Sequence, residues 1–181
     1  TKFDPKTLTN KKLTAFTQSN VHSFLEDSSH NLWIGSTAGL TRYNLTTGKL
    51  DLFTNQRDDP QSLSNNTVYH VIMDNDKNIW VGTGGGLNKM IKGTESDVPR
   101  FLNWRTTQSG LPNDDVYCVV DGGDGTLWMT CGNMISHFFP EQNTFRNYDS
   151  NDGLSGENFR GLYYLNGRGL RSQRGNIYFG S

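Results

Sequence analysis

Residues 31–44, "NLWIGSTAGLTRYN", contain a tryptophan phrase that recurs twice further along the chain. The phrase returns as "NIWVGTGGGLNKM" at 78–90 and as "TLWMTCGNMISHF" at 126–138. The three tryptophans, Trp33, Trp80 and Trp128, are therefore 47 and 48 residues apart. No acid, base or nucleophile is fixed at a shared position of the phrase. A regular period of this kind indicates a structural unit whose copies pack against one another.

Each tryptophan phrase lies within four short segments rich in β-branched and aromatic residues, which favour strands. The segments before the tryptophan are "VHSFLED" (21–27), "VYHVIMD" (68–74) and "VYCVVDG" (116–122). Third segments such as "LTRYN" (40–44) and "LNKMI" (87–91) follow it, and the units close with "KLDLFT" (49–54), "PRFLNWR" (99–105) and "NTFRNY" (143–148). Four strands in about 47 residues are typical of a propeller blade. We predict an all-β fold of β-propeller blades with four antiparallel strands each.

The repeated residues have packing roles in such a blade. Trp supplies bulk between wedge-shaped blades, and we expect Gly35 and Gly82 to leave room where blades crowd. Gly39 and Gly86 suit a turn with positive φ. The spacing D-x-x-x-N-x-W predicts a hairpin turn whose side chains bond their own backbone. In the third copy Thr130 and Met134 replace the glycines, which predicts a reshaped turn.

Composition excludes several classes of function. Hydrophobic residues make up 33% of the 181 residues, but aromatic residues make up 12%, enough for a core. The net charge of −1 and the absence of a basic stripe argue against nucleic-acid binding. Apolar runs are too short to span a membrane. In a hairpin centred on "GGDG", Cys118 would face Met129 rather than Cys131, so a disulfide is not expected.

The phrases "LWIGSTAGLTRYNLTTGKLDLFT" and "IWVGTGGGLNKM" resemble the two-component regulator propeller repeat. The linkers "DDPQSLSNNTVYHVIMD" and "SGLPNDDVYCVVD" are similar to the family's phrase between blades, and "NIYFGS" near the end resembles its final blade. The resemblance implies an extracytoplasmic sensor, often for oligosaccharides. It further implies a membrane-anchored, periplasmic location, a sandwich domain and a histidine kinase further along the parent protein, and a parent homodimer.

The repeats divide the chain into one propeller segment, 1–181. We predict the end of a preceding blade at 1–20, blades at 21–67, 68–115 and 116–158, and the start of an irregular, last blade at 159–181. Because half blades flank three whole ones, we expect the segment to belong to a larger propeller. The remaining blades of the parent are then partners of this segment.

Ligands of propellers usually meet the loops at one end of the central channel, here 55–67, 106–115 and 150–160. These loops supply planar donors and acceptors suited to sugar hydroxyls, and an outer strand adds a tryptophan beside a cation. The candidate ligand-binding residues are Arg57, Asp58, Asp59, Asn113, Asp114, Asp115, Trp104 and Arg105. Ordinary solvated loops are the simpler interpretation of the same polar residues. For Trp104, packing within its own blade is the simpler interpretation.

Other motifs predict no chemistry. We expect neither a cofactor nor a metal site, since the four histidines share no ligand spacing. His22 and His70 are assigned the same position in the blade, which suggests a structural role. Arg168, Arg171 and Arg174 form a basic cluster, for which a solvated loop is expected. We expect no enzyme activity in the segment. The alternatives to a ligand sensor are a structural or protein-binding propeller and a fragment of a carbohydrate-active enzyme.

Overall fold

The chain folds into successive antiparallel sheets in which neighbouring strands follow one another in sequence. The structure is a computed structural model that describes residues 2–4, 9–11, 19–91, 98–154 and 169–180. A first two-stranded sheet contains β1 (Lys2–Asp4) and β2 (Thr9–Lys11). Blade one contains β3 (Val21–Glu26), β4 (Asn31–Ser36), β5 (Gly39–Asn44) and β6 (Leu50–Phe53).

The next two sheets repeat this arrangement. Blade two contains β7 (Val68–Met73), β8 (Ile79–Thr83), β9 (Gly86–Ile91) and β10 (Arg100–Trp104). A short helix α1 (Thr106–Ser109) leads to blade three, which contains β11 (Val116–Asp121), β12 (Leu127–Cys131), β13 (Met134–Phe139) and β14 (Thr144–Tyr148). A 3-10 turn (Ser150–Asp152) and a two-stranded sheet of β15 (Gly169–Arg171) and β16 (Ile177–Phe179) follow. The predicted all-β fold of four-stranded blades is confirmed.

Adjacent blades stack through their first strands and bury aromatic side chains between them. β3 contacts β7, β7 contacts β11, and β11 contacts β15. Between blades one and two, Trp33 and Phe53 pack with Phe101 and Met90. The corresponding group between blades two and three is Trp80, Trp104, Phe138 and Phe145. Trp33 is 2% exposed and Trp80 1% exposed, as expected for spacers between blades.

The Asp-containing hairpins form as predicted and also hold the tryptophans. Asp27 accepts hydrogen bonds from the backbone N–H groups of Ser29 and Asn31. Its Oδ2 also accepts the indole N–H of Trp33 at 2.8 Å. In blade two Asp74 accepts from the Asn78 backbone and from Trp80 in the same way. The motif thus connects each hairpin to the tryptophan of its own blade, a contact that the sequence analysis did not predict.

Gly82 and Gly86 have the two roles that their positions predict. A Cβ on Gly82 would lie 2.6 Å from the carbonyl oxygen of Val116, the first residue of the neighbouring inner strand. Gly86 has a φ of 118°, and a Cβ there would clash with the Trp104 carbonyl. Gly35 and Gly39 repeat these roles in blade one.

Blade three departs from the pattern at its turn and hairpin. The positive φ moves from the position of Gly86, now Met134, to Gly132 at 56°. In blades one and two a hydroxyl, from Ser36 or Thr83, bonds the turn, and Cys131 occupies that position in blade three. The turn is therefore reshaped while the sheet persists, as predicted.

The blade-three hairpin is also different because it is one residue longer. Asp121 accepts from the backbone N–H groups of Gly123 and Asn75. The Trp128 indole N–H has no hydrogen-bond partner among the described residues, and the ring stacks on His137 with centroids 3.9 Å apart. Trp128 is half-buried rather than enclosed. The Asp–Trp hydrogen bond is thus a feature of blades one and two.

The predicted register around the cysteines is wrong by one residue. Val116 lies opposite Cys131, but Cys118 lies opposite Thr130 and not Met129, because a bulge intervenes at Tyr117. Both cysteines are free and buried. Burial raises the pKa of the Cys118 thiol to about 12 and also raises that of Cys131, so both are thiols at neutral pH.

Candidate functional site

The connecting loops meet the turns after the tryptophan strands, at the end of the blades where the inner strands begin. The Gly84 N–H donates to the Thr67 carbonyl at 3.0 Å, and the Gly132 N–H donates to the Asp115 carbonyl at 3.1 Å. The Thr37 N–H donates likewise to Asn20. These bonds place the loops and turns on one face, as the sequence analysis expected.

Five of the eight candidate residues lie together on this face, around Gly86. They are Trp104, Arg105, Asn113, Asp114 and Asp115. The Asp114 carboxylate accepts the Thr106 backbone N–H at 2.7 Å, and its carbonyl accepts the Gly86 N–H at 2.7 Å. We call these five residues the loop cluster.

Most polar groups of the loop cluster already have partners within the chain. Arg105 donates through Nη2 to the Ser64 carbonyl at 3.1 Å. The Asn113 side chain accepts the Asp115 N–H at 2.8 Å. From the residues that the structure describes, the Asp115 carboxylate accepts one long bond, 3.4 Å, donated by the Tyr69 hydroxyl. Asp115 is half-buried. Among the five, its carboxylate has the most remaining capacity to accept a hydrogen bond.

Trp104 contacts both its own blade and the next one. Its ring centroid lies 5.6 Å from that of Trp80 and 5.1 Å from that of Phe138 in blade three. Its indole N–H donates to Asn143. The expectation that Trp104 packs within its own blade is therefore incomplete, because the ring also bridges two blades.

The other three candidates, Arg57, Asp58 and Asp59, lie apart from the loop cluster. Asp59 forms an ion pair with Arg100 at 2.7 Å, at the opposite end of β10 from Trp104. Arg57 and Asp58 are exposed. The structure thus divides the candidates into two groups, and ligand binding by either group stays a prediction.

The loop containing Asp59 follows the open edge of blade two, a placement that the sequence analysis missed. The Phe101 N–H donates to the Gln61 carbonyl at 2.8 Å, and the Asn103 amide donates to the carbonyls of Pro60 and Ser62. In blade three Asn147 donates similarly to Gly110. An Asn just before the aromatic residue of the outer strand, Asn103 in blade two and Asn147 in blade three, was the available signal.

The inner strands carry a bulge at the same point of each blade. The bulged residues are His22, Tyr69 and Tyr117. Their rings form a ladder, with centroids 5.9 Å apart between His22 and Tyr69 and 5.0 Å apart between the two tyrosines. His22 is therefore equivalent to Tyr69, and its assignment to the position of His70 is wrong by one residue.

In blades one and two the residue after the bulge, Ser23 or His70, bonds the next inner strand. The Ser23 hydroxyl accepts the Val71 N–H at 3.0 Å, and His70 Nδ1 accepts the Val119 N–H at 3.1 Å. An Nδ1 that accepts carries no proton, so the His70 ring is neutral with its proton on Nε2. Burial lowers the pKa of His70 to about 4, which favours the same state.

Neither a metal site nor a membrane span is found in the part of the chain that the structure describes. No group of three His, Cys, Asp or Glu side chains in the described ranges is arranged to hold a metal ion. No described helix is long and apolar enough to cross a membrane.

The fold and the repeated hairpins define a propeller built from tryptophan-centred blades. Residues 15–38 and 62–85 match the family model for the two component regulator propeller. The resemblance to the two component regulator propeller that the residues carry is therefore confirmed over these two stretches. No curated protein matches the chain.

Solved structures with similar folds include extracellular domains from B. thetaiotaomicron. One, assigned to a hybrid two-component system, is 27% identical with a TM-score of 0.58, over 76% of this chain and 17% of that one. A second, also from a hybrid two-component system, is 18% identical with a TM-score of 0.51, over 99% of this chain and 29% of that one. This chain therefore spans less than a third of the length of either.

An enzyme also has a similar fold. A catalytically inactive virginiamycin B lyase from Staphylococcus aureus is 15% identical with a TM-score of 0.50, over 72% of this chain and 41% of that one. At this identity the likeness concerns the fold alone. Likeness of fold alone therefore does not assign a function to this chain.

Proposed function

We propose that this chain is an extracytoplasmic, ligand-sensing propeller segment of a two-component sensor kinase and that it responds to an oligosaccharide-like ligand. The observation that carries the proposal is the match of its repeats to the two component regulator propeller. The 27% identity to an extracellular domain of a hybrid two-component system supports the same placement. The parent is membrane-anchored and homodimeric in this proposal, with further blades, a sandwich domain and a histidine kinase beyond the segment.

The loop cluster is the surface that we assign to the ligand. Asp115 is half-buried, and its carboxylate accepts one long hydrogen bond from the described part of the chain, so it has acceptor capacity for a sugar hydroxyl. The backbone bonds around Gly86 and Gly132 hold the surrounding loops in place before a ligand arrives. A prearranged site of this kind reduces the ordering cost of binding. Arg57 and Asp58 form a separate exposed group and serve as a comparison.

Isothermal titration of the intact ectodomain against a panel of oligosaccharides tests this proposal. We expect one glycan class to bind and Asp115→Asn to weaken its binding about tenfold, the effect of losing about 1.4 kcal/mol. Asp58→Asn is the matched control, because it makes the same chemical change on the exposed loop outside the cluster. Equal affinities for the two variants would exclude the loop cluster as the site.

A second candidate, a structural or protein-binding propeller, is favoured by one specific observation. The side chains of Arg105, Asp114 and Asn113 are all bonded to the chain's own backbone. Such residues hold loops in place whether or not a ligand binds. If no glycan gives heat with the intact ectodomain and a protein partner does, the scaffold function replaces the sensor function for this segment.

We further propose that the segment is not an enzyme. The Tyr69 and Thr106 hydroxyls donate to the carboxylates of Asp115 and Asp114 at 3.4 and 3.3 Å. A catalytic nucleophile and its base usually lie closer, at about 2.6–3.2 Å. Turnover of a glycan by the ectodomain, lost when Asp115 or Asp114 is replaced by Asn, would instead assign the segment to a carbohydrate-active enzyme.

A further inference from the structure

The inner strands line an open cavity at the end of the blades opposite to the connecting loops. Its volume is about 490 Å³, and all four inner strands, β3, β7, β11 and β15, contribute to its wall. The apolar part of the wall includes one residue from each strand, Leu25, Ile72, Val120 and Leu170. Pockets for small molecules usually measure roughly 300–1,000 Å³ and have mostly apolar walls with a few polar groups. The cavity meets the condition of size, and eight of its twelve lining residues have apolar side chains, while polar atoms form the larger part of its exposed wall.

His70 supplies one hydrogen-bond donor to this wall. Because its Nδ1 accepts the Val119 N–H, the ring proton is on Nε2. Nε2 has no hydrogen-bond partner among the residues that the structure describes. It is not one of the side-chain atoms of those residues that are fully buried without a partner. His70 is also one of the residues that line the cavity. It therefore carries an unpaired donor N–H in the cavity wall, for which a ligand could supply the acceptor.

Arg171 supplies a positive charge at the other end of the wall. It is the last residue of β15, and its guanidinium lies against Gly123, where a Cβ would clash. The structure gives Arg171 no ion pair or hydrogen bond with any described residue. Asp121 also lines this end, but its oxygens accept the N–H groups of Gly123 and Asn75. The free donors at this end thus belong to Arg171.

The strand register separates the two donors. His70 bonds Val119, which lies two residues before Asp121 on β11. Asp121 lies opposite Leu127, the residue before Trp128. Arg171 lies opposite Ile177, the residue before Tyr178. Asp121 and Arg171 therefore occupy equivalent positions on β11 and β15. At about 3.3 Å per residue, the donors are separated by roughly 7 Å along the strand direction. Apolar side chains occupy the wall between them.

We propose that this cavity binds an elongated, apolar carboxylate. The carboxylate lies at Arg171, the apolar body lies against Leu25, Ile72, Val120 and Leu170, and an acceptor atom at the far end receives the His70 Nε2–H. A guanidinium pairs with a carboxylate through parallel N–H bonds, which fixes the orientation of the ligand. The site involves neither the loop cluster nor an oligosaccharide, so it stands or fails independently of the sensor function proposed above.

The test uses two carboxylates of the same shape with the full chain. 3-(4-Methoxyphenyl)propionate has an acceptor oxygen at its far end, and 3-(4-ethylphenyl)propionate has a methylene in the same place. We expect saturable binding of both by isothermal titration, with the methoxy compound about five to ten times tighter, the effect of one hydrogen bond. The neutral alcohol 3-(4-methoxyphenyl)propan-1-ol should bind at least about tenfold more weakly than its carboxylate.

Two variants locate these effects. Arg171→Gln should weaken both carboxylates about tenfold, whereas Arg174→Gln, an exposed arginine in the following turn, should leave both affinities unchanged. His70→Asn keeps an acceptor for the Val119 N–H but removes the Nε2 donor, so it should abolish the preference for the methoxy compound. Circular dichroism verifies that each variant is folded.

The proposal is overturned by any of three results: no saturable binding to the native chain, equal affinities of Arg171→Gln and Arg174→Gln, or a methoxy preference that persists in His70→Asn. If His70→Asn does not fold, the native chain still supplies a test. The proton and nitrogen resonances of His70 Nε2–H should then shift with the methoxy compound and not with the ethyl compound. Equal shifts would exclude the hydrogen bond.

Discussion

Trp80 donates its indole N–H to Asp74 at 2.7 Å, and Trp33 makes the same bond to Asp27 at 2.8 Å. In both blades the acceptor lies six residues before the tryptophan, across the hairpin between the first and second strands. The bond explains why Asp and Trp recur together in the repeat. The carboxylate orders the hairpin and holds the ring that separates one blade from the next.

Replacement of Asp74 by Ala should destabilise the chain. The change removes the acceptor of the Trp80 indole N–H and of two Asn78 N–H groups. A buried donor left without a partner costs about 1–3 kcal/mol, so we expect a loss of this size in the free energy of unfolding. Denaturant titration measures the loss. Asp76→Ala, an exposed change in the same hairpin, is the control, and an equal loss in both variants would contradict the prediction.

Replacement of Gly82 by Ala should disturb the contact between blades two and three. The added Cβ would lie 2.6 Å from the Val116 carbonyl oxygen, and backbone at that distance must move. Overpacking of this kind usually costs about 1–3 kcal/mol. Gly84→Ala, two residues away, adds a Cβ at 3.5 Å from its nearest neighbours and should change stability by less than about 1 kcal/mol. Thermal unfolding of the two variants distinguishes them.

Replacement of Asn103 by Ala should release the loop at the edge of blade two. Its amide donates to the Pro60 and Ser62 carbonyls at 2.9 and 3.1 Å, which holds residues 60–62 against β10. We expect faster proteolysis within residues 55–62 and faster hydrogen exchange at Gln61 and Ser62. Leu102→Ala changes the neighbouring, exposed residue and should leave both rates unaffected. Unchanged cleavage in the Asn103 variant would show that the other loop contacts suffice.

The neutral His70 should make the chain less stable as the pH falls from 6.5 to about 4. Burial lowers its pKa from 6.5 to about 4, so in this window the unfolded chain binds a proton that the folded chain does not. The resulting loss in the free energy of unfolding is at most about 3 kcal/mol. His70→Asn should have a smaller pH slope in this window, measured by urea titration. Equal slopes would show that His70 gains its proton without unfolding.

Asp27 should also make the chain less stable as the pH falls, but at a lower pH than His70. Partial burial alone would raise its pKa, but hydrogen bonds from Asn31, Trp33 and Ser29 outweigh it and lower the pKa below 3.8. Its contribution to stability is therefore complete above pH 3.8 and is lost only as the pH falls through the lowered value. The stability difference between the native chain and Asp27→Asn should be constant between pH 5 and 7 and shrink below 3.8. A difference that changes above pH 5 would contradict this assignment.

Much of the fold follows from local patterns in the sequence. The predicted strand segments 68–74 and 116–122 correspond to Val68–Met73 and Val116–Asp121, because alternation and turn residues act within a few positions of the chain. The inner-strand bulge was not predictable in this way. Tyr117 is an ordinary strand residue in sequence, and its displacement arises only where β11 pairs with β12.

The candidate site shows the same division. Polar loops were identifiable from their Asn, Asp and Pro content, and the loops do meet the tryptophan-strand turns on one face. The sequence did not show that Asp59 and Asp115 belong to different groups of residues. The place of each loop depends on where it crosses the next blade. Asp59 pairs with Arg100, which is 41 residues away.

The sequence by itself determined the repeating unit, because the spacing of Asp, Trp and Gly follows from hydrogen bonds and close contacts within one blade and with its neighbour. Tertiary structure decided which polar groups remain free for a ligand. Arg105 and Asp114 are held by backbone partners, whereas His70 keeps a donor beside a cavity formed by four separate strands. Such a cavity has no local signature, since its walls come from residues as far apart in the sequence as Phe24 and Arg171, which only the packing of blades brings together.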